Sequence, residues 1–126
     1  METLKIIGSE DTPGVLLDTG SGIFEISGRS LPEDVTAFYN PLLVWLDKYS
    51  ENPLVKTVFN FKLTYFNTAS SKMILDVMMK LESLHESGKE VLVKWFYPND
   101  DEDMKEAGAE YADIVDIPFE QVGYNS

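Results

Sequence analysis

The stretch FNFKLTYFNTASSKMILDVMMKLE, residues 59–82, changes its hydrophobic period in the middle. Up to Phe66 the apolar residues alternate: Phe59, Phe61, Leu63 and Tyr65 on one face, Val58, Asn60, Lys62, Thr64 and Phe66 on the other. A period of two marks a strand. From Met73 onward Ile74, Val77, Met78, Leu81 and Leu84 recur at i, i+3, i+4 spacing, the mark of an amphipathic helix. Between the two lies Asn67-Thr68-Ala69-Ser70-Ser71, three hydroxyls and an amide. The spacing predicts a strand over 55–66 and a helix over about 69–87 that ends at Gly88. Asn67, Thr68 and Ser70 can each supply the side-chain oxygen that caps the first helical N–H groups.

Outward from this unit, strands are expected at 4–7, 15–17, 23–28 and 90–97. Gly20 and Gly22 suit a tight turn between the second and third. A helix is expected from Ser30 as N-cap, with Pro32, Glu33 and Asp34 in its first turn and Val35, Phe38, Tyr39, Leu42, Leu43, Leu46 and Tyr49 on its apolar stripe. Asn40-Pro41 either kinks that helix or separates two, Asn40 capping the second. PNDDEDMKEAGAEYAD, 98–113, reads as a polar helix capped by Asn99 or Asp100, and 114–117 as a last edge strand before a loose C-terminus. Strand–helix–strand units in the second half imply right-handed parallel crossovers, and the first quarter reads as an antiparallel meander. The fold class is α/β: one domain over 1–126, a mixed sheet with helices packed on it.

Composition narrows function. A chain of 126 residues with 44% hydrophobic content can bury roughly two thirds of its unfolded surface. Ten basic residues face 22 acidic ones, a net charge of −12 that disfavours nucleic acid and anionic membrane as partners. Without cysteine there is no disulfide, thiolate metal site or cysteine nucleophile. No signal-like leader or membrane-length apolar run occurs, so a cytoplasmic location is expected. LLDTGSG, 16–22, matches the aspartic-protease signature around Asp18, but those enzymes are almost entirely β, and Asp-Thr-Gly is an ordinary hairpin turn. NDDEDMKE, 99–106, lacks the ligand spacing and glycine of a calcium loop. His85, the lone histidine, suits a helix C-terminus. No acid–base constellation, metal set or phosphate-cradling loop emerges; a non-enzymatic binding or regulatory module without cofactor is expected.

The junction at 67–72 has a second reading. A hydroxyl at a helix N-terminus sits in positive potential, which favours an added phosphate, and Lys72 adds local compensation. The element order, with a hydroxyl residue opening the helix after a central strand, resembles anti-sigma-factor antagonists of the STAS type. The usual STAS Asp-Ser-Ser-Gly phosphosite is replaced by Asn67-Thr68-Ala69-Ser70. The resemblance is stronger to the SiaC family of bacterial regulatory phosphoproteins. It is carried by residues 59–82, by GKEVLVKWFYPNDDEDMKEAGAEYAD at 88–113, and within that by Trp95, Tyr97, Asp101, Asp103, Glu106 and Gly108 at W-x-Y-x-x-x-D-x-D-x-x-E-x-G spacing. That resemblance implies a STAS-like fold and picks Thr68 as phosphoacceptor, with Asn67, Ala69, Ser70, Ser71 and Lys72 forming the adjoining partner surface. It further implies phosphorylation by a Ser/Thr protein kinase, reversal by a metal-dependent Ser/Thr phosphatase, and activation of a diguanylate cyclase by the unmodified form, raising c-di-GMP and promoting biofilm formation. A role as antagonist of an anti-sigma factor in a partner-switching module is the alternative.

Overall fold

The computed structural model describes residues 1–126. Strands β1 (Leu4–Ile6), β2 (Gly14–Asp18) and β3 (Ile23–Ser30) form the expected antiparallel meander. Three strand–helix–strand units follow: α1 (Val35–Tyr49), β4 (Lys56–Phe66), α2 (Thr68–Glu86), β5 (Glu90–Pro98), α3 (Glu102–Ile114) and β6 (Phe119–Tyr124). The six strands lie side by side in chain order, with β3 to β6 parallel. Crossovers of one hand that always step in the same direction place every helix on the same face. The alternation of burial agrees: Leu17, Phe24, Ile26, Phe59, Phe61, Val93 and Trp95 are sealed beneath the helices, while their neighbours in each strand stay half exposed.

Several local expectations need correction. Ser30 does not cap α1; it ends β3, fully buried, and Asp34 is the cap, accepting from the Ala37 N–H at 3.1 Å. The chain turns through Leu31–Glu33 first because β3 runs on beside the long β4. Of the two readings of Asn40-Pro41, the single helix holds and the second helix capped by Asn40 does not: α1 is continuous, and Pro41 sits exposed within it, losing only a bond to the Ala37 carbonyl. Asp101, rather than Asn99 or Asp100, caps α3 through the Met104 N–H at 3.0 Å. Residues 114–117 form no strand; α3 runs to Ile114, and the edge strand is 119–124, after Pro118. Gly88 does follow the end of α2 as expected, taking φ 97° just beyond the Ser87 cap.

The most consequential correction lies in β4. Gly28 pairs with Leu63 but Arg29 pairs with Tyr65, so Thr64 has no counterpart in β3. One extra residue in a strand turns every later side chain over. Phe59, Phe61 and Leu63 therefore point into the core, but Tyr65 is 48% exposed. Phe66 turns inward instead, packing on Trp95 and Tyr111 with ring centroids 6.1 and 6.4 Å away.

Helix α3 sits so close to the sheet that only a glycine fits beneath it. A Cβ on Gly108 would lie 2.4 Å from Cδ1 of Trp95 and 2.8 Å from the Gln121 amide. Trp95 cannot yield, being fully buried with its Nε1 donating to the Met104 carbonyl at 2.9 Å. Gly108→Ala is expected to lose about 1–2 kcal/mol by overpacking, even after alanine's helix preference is allowed for. Urea unfolding followed by far-UV circular dichroism checks this; unchanged or raised stability would contradict the packing.

Candidate functional site

The carboxyl ends of β3, β4 and β5 meet the N-termini of α1, α2 and α3 along one edge, where α/β sheets present their loops to ligands and partners. The middle junction is the one singled out by sequence. Asn67 is the N-cap of α2, its Oδ1 accepting from the Ser70 N–H at 2.8 Å, and its own N–H donating to the Ser30 carbonyl at 3.2 Å. Thr68 and Ala69, the first two helical residues, are both exposed. Their N–H groups have no carbonyl a turn earlier to bond. Lys72, one turn along, is also exposed.

The three hydroxyls have separate fates. Ser70 is fully buried; its Oγ donates to the Ser30 carbonyl at 2.9 Å and accepts from Ser30 Oγ at 2.9 Å. Ser30 Oγ commits its only proton there, so its 2.7 Å contact with Tyr39 is donated by the phenol. A chain of donors thus runs from Tyr39 on α1, through Ser30 on β3, to Ser70 on α2. Ser71 is half-buried, its Oγ donating to the Thr68 carbonyl at 2.6 Å, while its own carbonyl accepts from Tyr111 Oη at 2.8 Å. The Thr68 hydroxyl enters none of these bonds, and the residue is exposed. Of the expected partner-surface residues, the structure keeps Asn67, Ala69, Ser71 and Lys72 at or near the surface and withdraws Ser70 from it, because position 70 falls in phase with Met73, Ile74 and Val77 on the buried stripe.

Sequence reasoning passed over the residues that brace the junction: Ser30, Tyr39 and Tyr111. Tyr39 lies on the α1 stripe and Ser30 in phase with Phe24 and Ile26, but nothing in their spacing says that they meet. Burial pushes the Tyr39 phenol up to about 12, against a smaller opposing pull from Ser30. Burial also raises Tyr111, assisted by the nearby Tyr39 and Glu110 charges.

Beside the junction, Thr64, Tyr65 and Phe66 line a cavity of about 220 Å³ with Asp101, Asp103, Met104 and Ala107 from the start of α3. Its rim is acidic, with Asp100 just before α3 and Glu102 in the first turn of that helix. Arg29 lies over the exposed Tyr65 ring at 5.4 Å. No three His, Asp or Glu side chains converge to hold a metal ion, and no helix is long and apolar enough to cross a membrane. Asp18 and His85 lie at the opposite edge. Asp18 organises its hairpin by accepting from Ser21 Oγ, Thr3 Oγ1 and the Gly20 N–H, which together hold its carboxyl below the usual range.

The three polar positions should separate in stability. Thr68→Ala should change it by no more than about 0.5 kcal/mol, since an exposed, unbonded hydroxyl is lost. Asn67→Ala should cost about 0.5–2 kcal/mol as a lost cap, and Ser70→Ala about 1–3 kcal/mol, because Ser30 loses a buried partner. Denaturant midpoints of the three variants give the ranking. Separately, a phenol raised from 10.0 to about 12 stabilises the fold fully below its unfolded pKa, and that contribution is lost as pH rises through the folded value. Thermal midpoints should fall between about pH 10 and about pH 12, and less steeply in Tyr39→Phe.

Comparison with known proteins agrees with this architecture. The family model described as SiaC family regulatory phosphoprotein matches residues 6–124. An uncharacterised protein of Pseudomonas aeruginosa strain UCBPP-PA14 is 27% identical over 119 residues, 94% of each chain. The solved structure of SiaC of Pseudomonas aeruginosa superposes with a TM-score of 0.90 at 25% identity, over 98% of this chain and 100% of that one. A crystal structure of the diguanylate cyclase SiaD in complex with its activator SiaC, from the same organism, contains a chain with a TM-score of 0.90 at 26% identity, over 96% and 99%. With residues 6–124 of its 126 inside the family match and its two-layer fold shared throughout, this chain belongs to the SiaC family of regulatory phosphoproteins.

Proposed function

We propose that this protein is a non-enzymatic switch whose unmodified form binds and activates a diguanylate cyclase, and that phosphorylation of Thr68 blocks this. A partner Ser/Thr protein kinase would add the phosphate and a metal-dependent Ser/Thr phosphatase would remove it. The observation that carries this reading is the exposure of Thr68 as the first residue of α2, with its hydroxyl free, beside Ser70 and Ser71 whose hydroxyls are committed to the fold. The cyclase–activator complex of the similar Pseudomonas aeruginosa protein supports the choice of partner.

The physical case for a switch is that this position can take charge without losing structure. A phosphate brings about −1.5 to −2 charges and three acceptor oxygens. At Thr68 it meets the unpaired N–H groups of the first helical turn, the positive end of the helix dipole and Lys72 one turn on. Cap and brace are untouched, since neither the Asn67 Oδ1 bond nor the Tyr39–Ser30–Ser70 chain uses the Thr68 side chain. What changes is the outer surface, where a bulky dianion stands in the way of an apolar or acidic partner group.

Incubation with the cognate kinase and ATP should add one phosphate by intact mass, located on Thr68 by peptide fragmentation. Cyclase stimulation should fall in step with phosphate incorporation, and Thr68→Ala should stimulate whether or not kinase is present. Phosphate on Ser70 or Ser71, or stimulation that survives full modification, would sink the proposal. Thr68→Glu should give partial inhibition only, having less charge and fewer oxygens than phosphate.

A further inference from the structure

Helix α2 lies between α1 and α3 on the sheet, and its outer face is left open. Thr68, Lys72, Leu75, Met79, Glu82 and Glu86 follow at alternating spacings of four and three, so they form one line along that face. A solvated helix face calls for polar residues throughout. Here the middle is apolar, with Leu75 half-buried and Met79 42% exposed. The N-terminal end carries Lys72, exposed and outside all three ion pairs of the chain. Lys80, on one flank, is by contrast held by Asp47 of α1 at 2.7 Å. On the other flank α3 exposes Glu102, Asp103, Glu106, Glu110 and Asp113 against the single cation Lys105.

We propose, on the reading of Thr68 as a switch for cyclase binding, that the cyclase docks along this line through an amphipathic helix. Its apolar side chains cover Leu75 and Met79, a carboxylate meets Lys72, and basic residues face α3. From Lys72 to Met79 is about 10 Å, two helical turns, which a second helix matches with side chains at i, i+3 or i+4, and i+7. A second copy of this chain does not fit. A twofold axis along α2 would set Lys72 on Lys72, and one across it would set the acidic flank of α3 on itself. Both copies would also carry −12. Thr68 stands one turn before Lys72, at the end of the line. Its phosphate competes for the same ammonium that the partner carboxylate uses, and the two anions repel. A modification outside the apolar contact thus loosens the whole of it.

Binding to the immobilised cyclase, followed by biolayer interferometry, tests the docking line. Met79→Lys and Lys72→Glu should each raise the dissociation constant about tenfold or more, with Met79→Leu and Lys72→Arg far less affected. Lysine and glutamate are good helix formers and both positions are exposed, so folding survives, as circular dichroism can verify. Lys94→Glu, the same change of charge on the opposite face of the sheet, should leave the affinity unchanged. Hydrogen exchange in the bound cyclase should slow along one helix. Line variants that bind like the wild type overturn the proposal, as does Lys94→Glu weakening binding equally, or protection confined to loops of the cyclase. If phosphorylated protein binds normally while Met79→Lys does not, the switch reading falls and the docking line stands. If phosphorylation blocks binding and the line variants do not, the line falls and the switch stands. A wild-type chain that does not bind the cyclase overturns both.

Discussion

Crossover handedness organises this molecule. From β3 to β6 the chain makes three parallel crossovers, each one step in the same direction across the sheet. A right-handed connection repeated without reversal can only lay its helices on one side. The single hydrophobic cluster between helices and sheet follows, as does the opposite, uncovered face. So does the alignment of all three helix N-termini along one edge, each opened by its own side-chain cap: Asp34, Asn67 and Asp101.

At that edge a rigid base carries a free tip. Tyr39, Ser30 and Ser70 link α1, β3 and α2 by hydrogen bonds buried from water, where an unmade bond is costly and the register is therefore held. Tyr111 ties the start of α2 to α3 from the other side. Thr68 projects from this braced turn. A group that gains and loses a dianion is best placed where neither state is coupled to packing, and the exposed first residue of a firmly capped helix meets that requirement.

The β4 bulge shows how one residue of register shapes the same edge. By passing over Thr64 in the pairing, it turns Tyr65 outward beneath Arg29 and turns Phe66 inward against Trp95 and Tyr111. Strict alternation would have buried Tyr65 and exposed Phe66. The bulge therefore supplies both the aromatic surface near Thr68 and the apolar wedge that seats α3, whose own approach depends on Gly108.

Hydrophobic period alone was enough for the elements in which it is long and clean: the antiparallel meander, β4, α2 and β5, hence the mixed α/β sheet. It also placed the polar junction between β4 and α2, and the resemblance in residues 59–82 and 88–113 pointed to the family. Left open were matters of contact between distant segments. Whether Ser30 capped a helix or extended a strand depended on how far β4 ran beside it. Whether residues 114–117 or 119–124 formed the last strand depended on where β5 offered hydrogen bonds. Ser70 carried a legible hint, its phase with Met73, Ile74 and Val77, but its partners Ser30 and Tyr39 lie far back along the chain, in β3 and α1. Local pattern reports the period of burial. Which buried polar atoms meet is settled by the folded chain, because a hydrogen bond across the core is fixed by geometry that no local spacing encodes.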